Sequence, residues 1–398
     1  MSDGILVVAD LHLDIGRHET TGPDGINKAW SVAHRAWLAA CDEAIERQVK
    51  MVAVAGDAFH AARPLPEPSQ MLLDGLLRLT QAKIPVALIG GNHELWRWPW
   101  GHRHVLQQYS AIDGVEVVLH QPRVLRLADG TQVACLPWPH VTNILADVDE
   151  VPPDPGSIDQ LVTQWLHEQI DQLSEQVSRS SDPSVLVGHA MLDTARAGSE
   201  LSIAPMAMSR VLATPMVSTH QIAQGPWSPA IFGHVHQRQQ LGPEVWYGGT
   251  PWTIDFENQP VAKGSNLIIA GQSEPQLLEG PDRSLFHLRL HRPQDIQQLD
   301  DLPPDTLVRI TADSPKLIER TQDKVVEVLR ARSLRLHDWQ LAEQEPEQQQ
   351  SNPDQTIIGS SLPPIEAISQ WCEMRQLDPD LAERMQQEAR RILAEMAG

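Results

Sequence analysis

The feature that most restricts this chain is a device repeated five times in its first 280 residues: a short apolar run that ends abruptly in Gly, Asp, Asn or His. The runs are ILVVAD (5–10), MVAVAGD (51–57), IPVALIGGNHE (84–94), SVLVGH (184–189) and AIFGHVH (230–236). Runs this short, rich in Val and Ile and closed by Gly, read as strands buried on both faces. Between the first two, Ala29, Ala33, Ala36, Trp37, Ala40, Ala44 and Ile45 recur at helical spacing over 27–49, and 68–82 has the same character. Strand alternating with helix predicts an α/β fold. In open α/β sheets ligands bind beyond the carboxyl ends of the strands, and the polar residues of all five runs sit there.

Those strand-end residues are Asp10, His12, Asp57, Asn92, His93, His189, His234 and His236. Carboxylate, imidazole and amide oxygen on one rim suit a divalent transition metal such as Mn²⁺, Fe²⁺ or Zn²⁺. Cys41, Cys135 and Cys372 lie far apart and outside the set, which excludes a disulfide framework and a zinc ribbon. The pairs Asp10/His12 and His234/His236 share an i, i+2 spacing that turns both side chains to one face of a strand. Eight such groups are too many for one ion. Two ions sharing a carboxylate would use them all and would clamp an in-line displacement at phosphorus, with a bridging water ionised near neutral pH as nucleophile. His93, directly after Asn92, is the candidate to assist the leaving oxygen. Taken singly, each element has a bland reading as an ordinary core or turn residue; five in this order do not.

Composition sets the class. With 398 residues, 41% apolar and 21% charged, the chain is long enough for two or three packed domains, and a disordered or fibrous chain is excluded. No apolar run approaches the roughly 20 residues that span a bilayer, and MSDGILVVADLHLD lacks a basic n-region, so the expected setting is cytoplasmic. The net charge of −21 weighs against a nonspecific nucleic-acid binder, yet local basic residues or acid-bound cations can still present positive charge to phosphate. Of the 17 histidines, 14 fall before residue 281, where the metal motifs lie.

The five blocks, in order, resemble the metallophosphoesterase (calcineurin-like) superfamily pattern of D-x-H, GD, GNH[DE], GH and GHxH. That resemblance implies a two-sheet sandwich flanked by helices. It also sorts the ligands: one metal would take Asp10, His12, Asp57 and His236, and the second Asn92, His189 and His234, with Asp57 bridging. His93 would assist the leaving group. Where the family often has GNHD this chain has GNHE, and a mild effect is expected because that carboxylate is not a ligand.

The words around the motifs narrow the resemblance. AGDAFHAARP (55–64), AGSELSIAP (197–205), FGHVHQRQQ (232–240) and YGGTPWTIDFEN followed by KG (247–264) are similar to SbcD-type DNA-repair nucleases and their archaeal and eukaryotic counterparts. This implies a nuclease domain over 1–280, an α+β DNA-capping domain over 281–342, a linker over 343–361 and helices over 362–398 that grip a coiled-coil SbcC-type ATPase. It further implies two Mn²⁺, with Mg²⁺, Fe²⁺ or Zn²⁺ as substitutes, a homodimer, DNA ends and hairpins as substrate, and a nucleoid-associated setting. The linker and tail are visible independently: EQEPEQQQSNPDQ (343–355) is polar and aperiodic, and Leu381, Met385, Ala389 and Leu393 form one helical stripe. Read from residues alone, that helical pair either packs back on the body or docks a partner.

His60 and Arg63, in FHAARP, match the loop in which the family's histidine aids exonuclease cleavage; the alternative is a turn-capping histidine. Arg97 and Arg103 interleave with Trp96, Trp98 and Trp100, either as a stacking platform for single strands or as a loop packed on the body. With Arg63 and Arg238 they are the candidate DNA-binding cations. Two rival functions stay open: a phosphodiesterase for cyclic nucleotides or small phosphoesters, and a non-catalytic DNA-end scaffold.

Overall fold

The computed structural model describes residues 4–342 apart from 17–18, 24, 99–100, 147, 149–154, 180, 196–215, 257–261 and 270–271, together with Arg384 and Gln387. The linker and docking tail expected over 343–398, and the word AGSELSIAP, thus lie almost wholly outside the described residues. No described helix is long and apolar enough to cross a membrane.

The chain opens with β1 (Gly4–Val8), α1 (Lys28–Arg47), β2 (Met51–Ala55), α2 (Pro66–Gln81) and β3 (Val86–Ile89). Asn27 caps α1, its side chain accepting from Ala29 N and Trp30 N at 2.8 and 3.3 Å, and Pro66 starts α2 where no N–H is missed. A hairpin of β4 (Leu95–Trp98) and β5 (Gly101–His104) follows where the sequence reads as a loop. The alternation LWRW/GHRH suits a strand ladder; the side chains of 96–98 and 101–103 lie outside the described residues. Next come β6 (Val115–Val118), β7 (Arg123–Arg126), β8 (Gln132–Leu136), α3 (Val141–Ala146) and α4 (Pro155–Ser178). Then follow β9 (Ser184–His189), a short pair β10 (Met191–Leu192) and β11 (Met216–Val217), α5 (Thr219–Ala223) and β12 (Ala230–Gly233). This part of the chain closes with β13 (Gln239–Gly242), β14 (Val245–Tyr247), β15 (Gly264–Ile269) and β16 (Gln276–Glu279).

These strands make two six-stranded sheets, ordered β16-β15-β1-β2-β3-β6 and β13-β14-β12-β9-β8-β7. The sheets pack face to face: Val7, Ala53, Ala55 and Ile89 from the first meet Val133, Val185, Val187 and Ile231 from the second. The outer face of the first sheet is covered by α1 and α2, that of the second by α4 and α5. This is the helix-flanked sandwich the resemblance implied, and burial on both faces is why the five runs are apolar throughout. Because β1, β2, β3 and β6 run parallel, their carboxyl ends share one edge.

Beyond residue 280, β17 (Leu285–Leu290), β18 (Leu307–Ala312), α6 (Pro315–Ala331) and β19 (Arg335–Leu341) form a parallel three-stranded sheet with its own core, including Leu288, Val308, Ile310, Val325 and Leu329. It meets the sandwich through the ion pairs Arg283–Glu19 and Lys28–Asp305, and through Phe256, which lies against His337 and under the Arg309 guanidinium.

The tightest packing on the helical face is Trp37 of α1 over Gly75 of α2. A Cβ on Gly75 would fall 2.0 Å from Trp37 Nε1, whose N–H donates to the Leu72 carbonyl at 3.3 Å. Gly75→Ala should therefore destabilise the protein, by about 1–3 kcal/mol for overpacking, despite a helix-propensity gain of about 1 kcal/mol. Urea denaturation followed by tryptophan fluorescence reads the sign; a stabilised variant would show that Trp37 is free to move.

Candidate metal centre

All eight strand-end residues converge. Asp10 and His12 follow β1, Asp57 follows β2, Asn92 and His93 follow β3, His189 ends β9, and His234 and His236 follow β12. The centre thus straddles the seam where the edge of the first sheet meets the second. Main-chain bonds lace the loops together: Asp10 N, His12 N and Leu13 N donate to Gly56 O, Asp57 O and Ala58 O at 3.3, 3.0 and 3.0 Å. His234 N donates to both Asp10 carboxylate oxygens at 2.9 and 3.1 Å, and His93 N donates to Asp57 Oδ1 at 3.0 Å.

This crowding has a conformational cost. Asp10, His12, Asp57 and His234 have φ of 51°, 44°, 48° and 104°, a region unfavourable for residues with a Cβ. Gly56, at φ 78°, leaves no room for a side chain, since a Cβ would fall 2.1 Å from His189 Nδ1. Strain gathered on four residues of one cluster is characteristic of a functional site.

Two sets of side-chain atoms face inward. In one, His12 Nε2 and His236 Nε2 lie 3.1 Å apart, with Asp10 alongside. In the other, Asn92 Oδ1 lies 3.0 Å from both His189 Nε2 and His234 Nδ1. Asp57 Oδ2 stands between them, 3.9 Å from His12 Nε2 and 3.3 Å from His189 Nε2. Ligands about 2.1 Å from one ion and roughly at right angles are about 3 Å apart, so these separations fit metal coordination. Two facing imidazole nitrogens, with His12 Nδ1 and His236 Nδ1 buried and without hydrogen-bond partners, are otherwise a poor arrangement. Each set could hold a divalent cation.

The protonation states tell the same story. Asp10, His12, Asp57, His189, His234 and His236 are all buried. Burial pushes the Asp10 carboxyl up to about 7, holds His12 and His236 well below the usual imidazole range, and lowers His234 to about 3. Burial alone would raise Asp57 too, but the charges of His189 and His93 and a hydrogen bond from His189 keep it well below the carboxylate range. Burial opposes charge on His189, yet Asp57 overrides it and raises the imidazole to about 9. His189 Nδ1–H donates to the Ala55 carbonyl at 2.9 Å, which leaves Nε2 for Asp57 and Asn92. A proton on that Nε2 therefore stands where a cation would.

His93 Nδ1–H donates to the His60 carbonyl at 2.9 Å, so its Nε2 faces the centre, 3.8 Å from Asp57 Oδ2. The His60 ring stacks on the His93 ring with centroids 4.7 Å apart. The two histidines together with His12 also form a cluster of ligand-capable nitrogens. Arg63 lines a cavity of about 800 Å³ together with His104, Gln107, Gln108 and His120. Arg238 donates to Asn266 Oδ1 at 3.0 Å and to the Pro275 carbonyl at 2.7 Å, and lies over Trp246. In the β4–β5 backbone register Arg97 pairs with His102 and Arg103 with Trp96; their side chains lie outside the described residues.

Sequence reasoning passed over several residues. Glu94, the departure from GNHD, is fully buried and accepts from Phe59 N at 3.2 Å and Gly91 N at 3.0 Å, tying the Asp57 loop to the Asn92 loop. Its carboxyl is pushed up to about 8 by burial and by Asp57. Asp14 Oδ1 accepts from His60 N at 2.5 Å and Ala61 N at 3.3 Å. Trp138, flanked by two prolines, packs on His234 at 4.9 Å, and Lys263 lies buried under His236. The sequence marks Glu94 through GNHE, Lys263 through the KG at 263–264 and Asp14 through the spacing DLHLD, but gives none of them a role in the centre.

A cation held by Asp10 and His189 would have to expel the protons on them, because only the unprotonated forms ligate. Protons bound up to about 7 and about 9 compete below those values, so apparent Mn²⁺ affinity should rise with pH across that interval. Calorimetry in two buffers of different ionisation heat should show about one proton released per chain near pH 7.5. Equal heats in both buffers would refute the protonated His189.

The family match fits this geometry. Residues 4–238 match the family model described as calcineurin-like phosphoesterase, a span that contains every residue of the centre. The chain is 25% identical over 186 residues to the DNA double-strand break repair protein Mre11 of Archaeoglobus fulgidus; the match covers 46% of this chain and only 37% of the archaeal protein. A dimetal phosphatase from Danio rerio is similar in structure at TM-score 0.37 and 11% identity, over 70% of this chain and 98% of that one. With more than half its length matched, the chain belongs to the calcineurin-like phosphoesterase family of metal-dependent hydrolases.

Proposed function

We propose that the chain is a two-metal DNA phosphodiesterase: the nuclease subunit of an SbcCD-like repair complex, acting as a double-strand exonuclease and a single-strand and hairpin endonuclease. The observation that carries the phosphodiesterase part is the convergence of two ligand sets on one oxygen of Asp57, with His93 beside it. The DNA part is supported by the likeness to the archaeal break-repair protein. In this reading Asp10, His12, Asp57 and His236 hold one ion, and Asn92, His189 and His234 hold the other with Asp57 shared. Mn²⁺ is the proposed metal. Residues so placed would hold ions whose Lewis acidity would acidify water and offset charge on the phosphoryl oxygens.

The chain's own groups do the rest. Hydrolysis joins a water oxygen to phosphorus, the water giving up a proton to solvent, and breaks the bond to one sugar oxygen, which departs needing a proton that solvent later restores to its donor. His93 supplies it from Nε2, because its Nδ1–H is committed to the His60 carbonyl. His60, stacked on that ring, steadies it. Ala55 and Asp10 orient His189 and His234 by accepting their Nδ1–H and main-chain N–H groups. On so acidic a chain, DNA affinity rests on a few cations, and Arg63, Arg97, Arg103 and Arg238 are the proposed phosphate contacts. The small domain over 281–342 caps the DNA, 343–361 is a linker, and 362–398 docks on a coiled-coil ATPase subunit. A second copy of the chain joins through helices of the catalytic domain, where Leu65 and Leu77 at α2 are exposed.

Purified chain and a His93→Ala variant, given Mn²⁺ and end-labelled duplex, hairpin and single-stranded DNA, test this. Cleavage should require Mn²⁺, stop with EDTA and fall by about 10²–10⁴-fold in the variant while two ions still bind. Brisk hydrolysis of a simple phosphodiester with all DNA left intact, even with the ATPase partner added, would replace the nuclease reading by that of a small-ester phosphodiesterase.

A further inference from the structure

Beneath the centre lies a cation that the mechanism above does not use. Lys263 is 5% exposed, and its Nζ donates to the main-chain carbonyl of His236 at 3.2 Å. The same oxygen accepts from Thr250 N at 3.1 Å and Thr250 Oγ1 at 3.4 Å. Lys263 directly precedes β15, whose antiparallel register with β1 pairs Gly4 with Ile269 and Val7 with Asn266, and Asp10 lies two residues past the end of β1. The lysine's charge is felt by both the Asp10 carboxyl and the His236 imidazole. Both belong to the set proposed for one ion. The other set is held from His189 Nδ1 to Ala55 and from His234 N to Asp10, contacts that do not pass through the His236 carbonyl.

A buried ammonium is expensive, and beside a site for dications it is repulsive as well, so a turn that needed only a donor would do better with a neutral one. We propose that Lys263 is a positioning residue: by gripping the His236 carbonyl it holds the imidazole against His12 and thereby sets the affinity of the Asp10–His12–Asp57–His236 ion, while the second ion, whose ligands are held by contacts that bypass that carbonyl, is left largely unaffected. The inference rests on the two-ion reading. Two effects of opposite sign compete on removing the lysine. Loss of its charge would tighten cation binding, whereas loss of its grip lets Nε2 of His236 drift from the 3.1 Å separation that chelation needs. The grip wins, because coordination tolerates only small displacements and the loss of an outer tether typically costs about 10–100-fold in metal affinity.

Mn²⁺ titration of metal-stripped full-length protein, followed by calorimetry and electron paramagnetic resonance, distinguishes these effects. Wild type should take up two ions and show a spin-coupled pair. Lys263→Met should keep one ion at wild-type affinity, lose about 10–100-fold on the other, and show isolated Mn²⁺ where wild type shows the pair. Lys263→Arg, which keeps a cation and a donor, should recover most of the loss. Thr250→Val, which removes only the hydroxyl contact, should shift the same ion by a smaller factor and serves if Lys263→Met does not fold. Tighter binding in Lys263→Met, equal loss at both ions, or an unchanged isotherm would overturn the role of Lys263 with the two-ion reading intact. Fewer than two ions on the wild-type chain would overturn both.

Discussion

Asp57 is the point on which the rest of the centre depends. Its backbone carbonyl receives His12 N, its Oδ1 receives His93 N, and its Oδ2 faces His12, His93 and His189 together. One short loop after β2 thus ties the loop after β1, the loop after β3 and the end of β9 into a single unit. The left-handed backbone at Asp57 and Asp10 is the cost of presenting carboxylates inward from strands whose neighbours are only about 4.8 Å away. The surrounding sandwich over-determines that geometry, and Glu94 adds a clamp from below by accepting main-chain N–H groups of both the Asp57 and the Asn92 loops.

Electrostatically the centre is built for cations. Six ionisable side chains are buried together, and the charge of Asp57 is offset first by His189, which its proximity keeps protonated, and then by His93. Three further imidazoles are kept neutral by burial, which is the form that binds a metal.

The small parallel sheet is coupled to the sandwich by few but specific contacts. Arg283 pairs with Glu19 in a largely buried bridge and stacks over Trp252, whose own N–H donates to Leu11 O at 2.8 Å. Leu11 lies between Asp10 and His12. A chain of direct contacts therefore runs from the junction of the two parts to the metal centre, and Phe256, gripped by Arg309 and His337, reinforces it.

Much of this was legible in sequence because it is local. Strand expectations at 51–57 and 184–189 and the helix at 27–49 fall within a few residues of β2, β9 and α1, since burial on two faces or on one helical stripe writes its period directly into the chain. The eight polar strand ends were legible for the same reason. The hairpin over 95–104 was not, because Pro99 and the paired tryptophans read as a loop. What sequence alone determined is the set of ligand-type residues and the strands that carry them. Only the tertiary structure decided which of them face one another, and what stands behind them: Ala55 O under His189, 134 residues away; Lys263 under His236; Trp138 against His234. Such partners meet because two sheets stack and their edges coincide, and no spacing along the chain encodes a contact made across that seam.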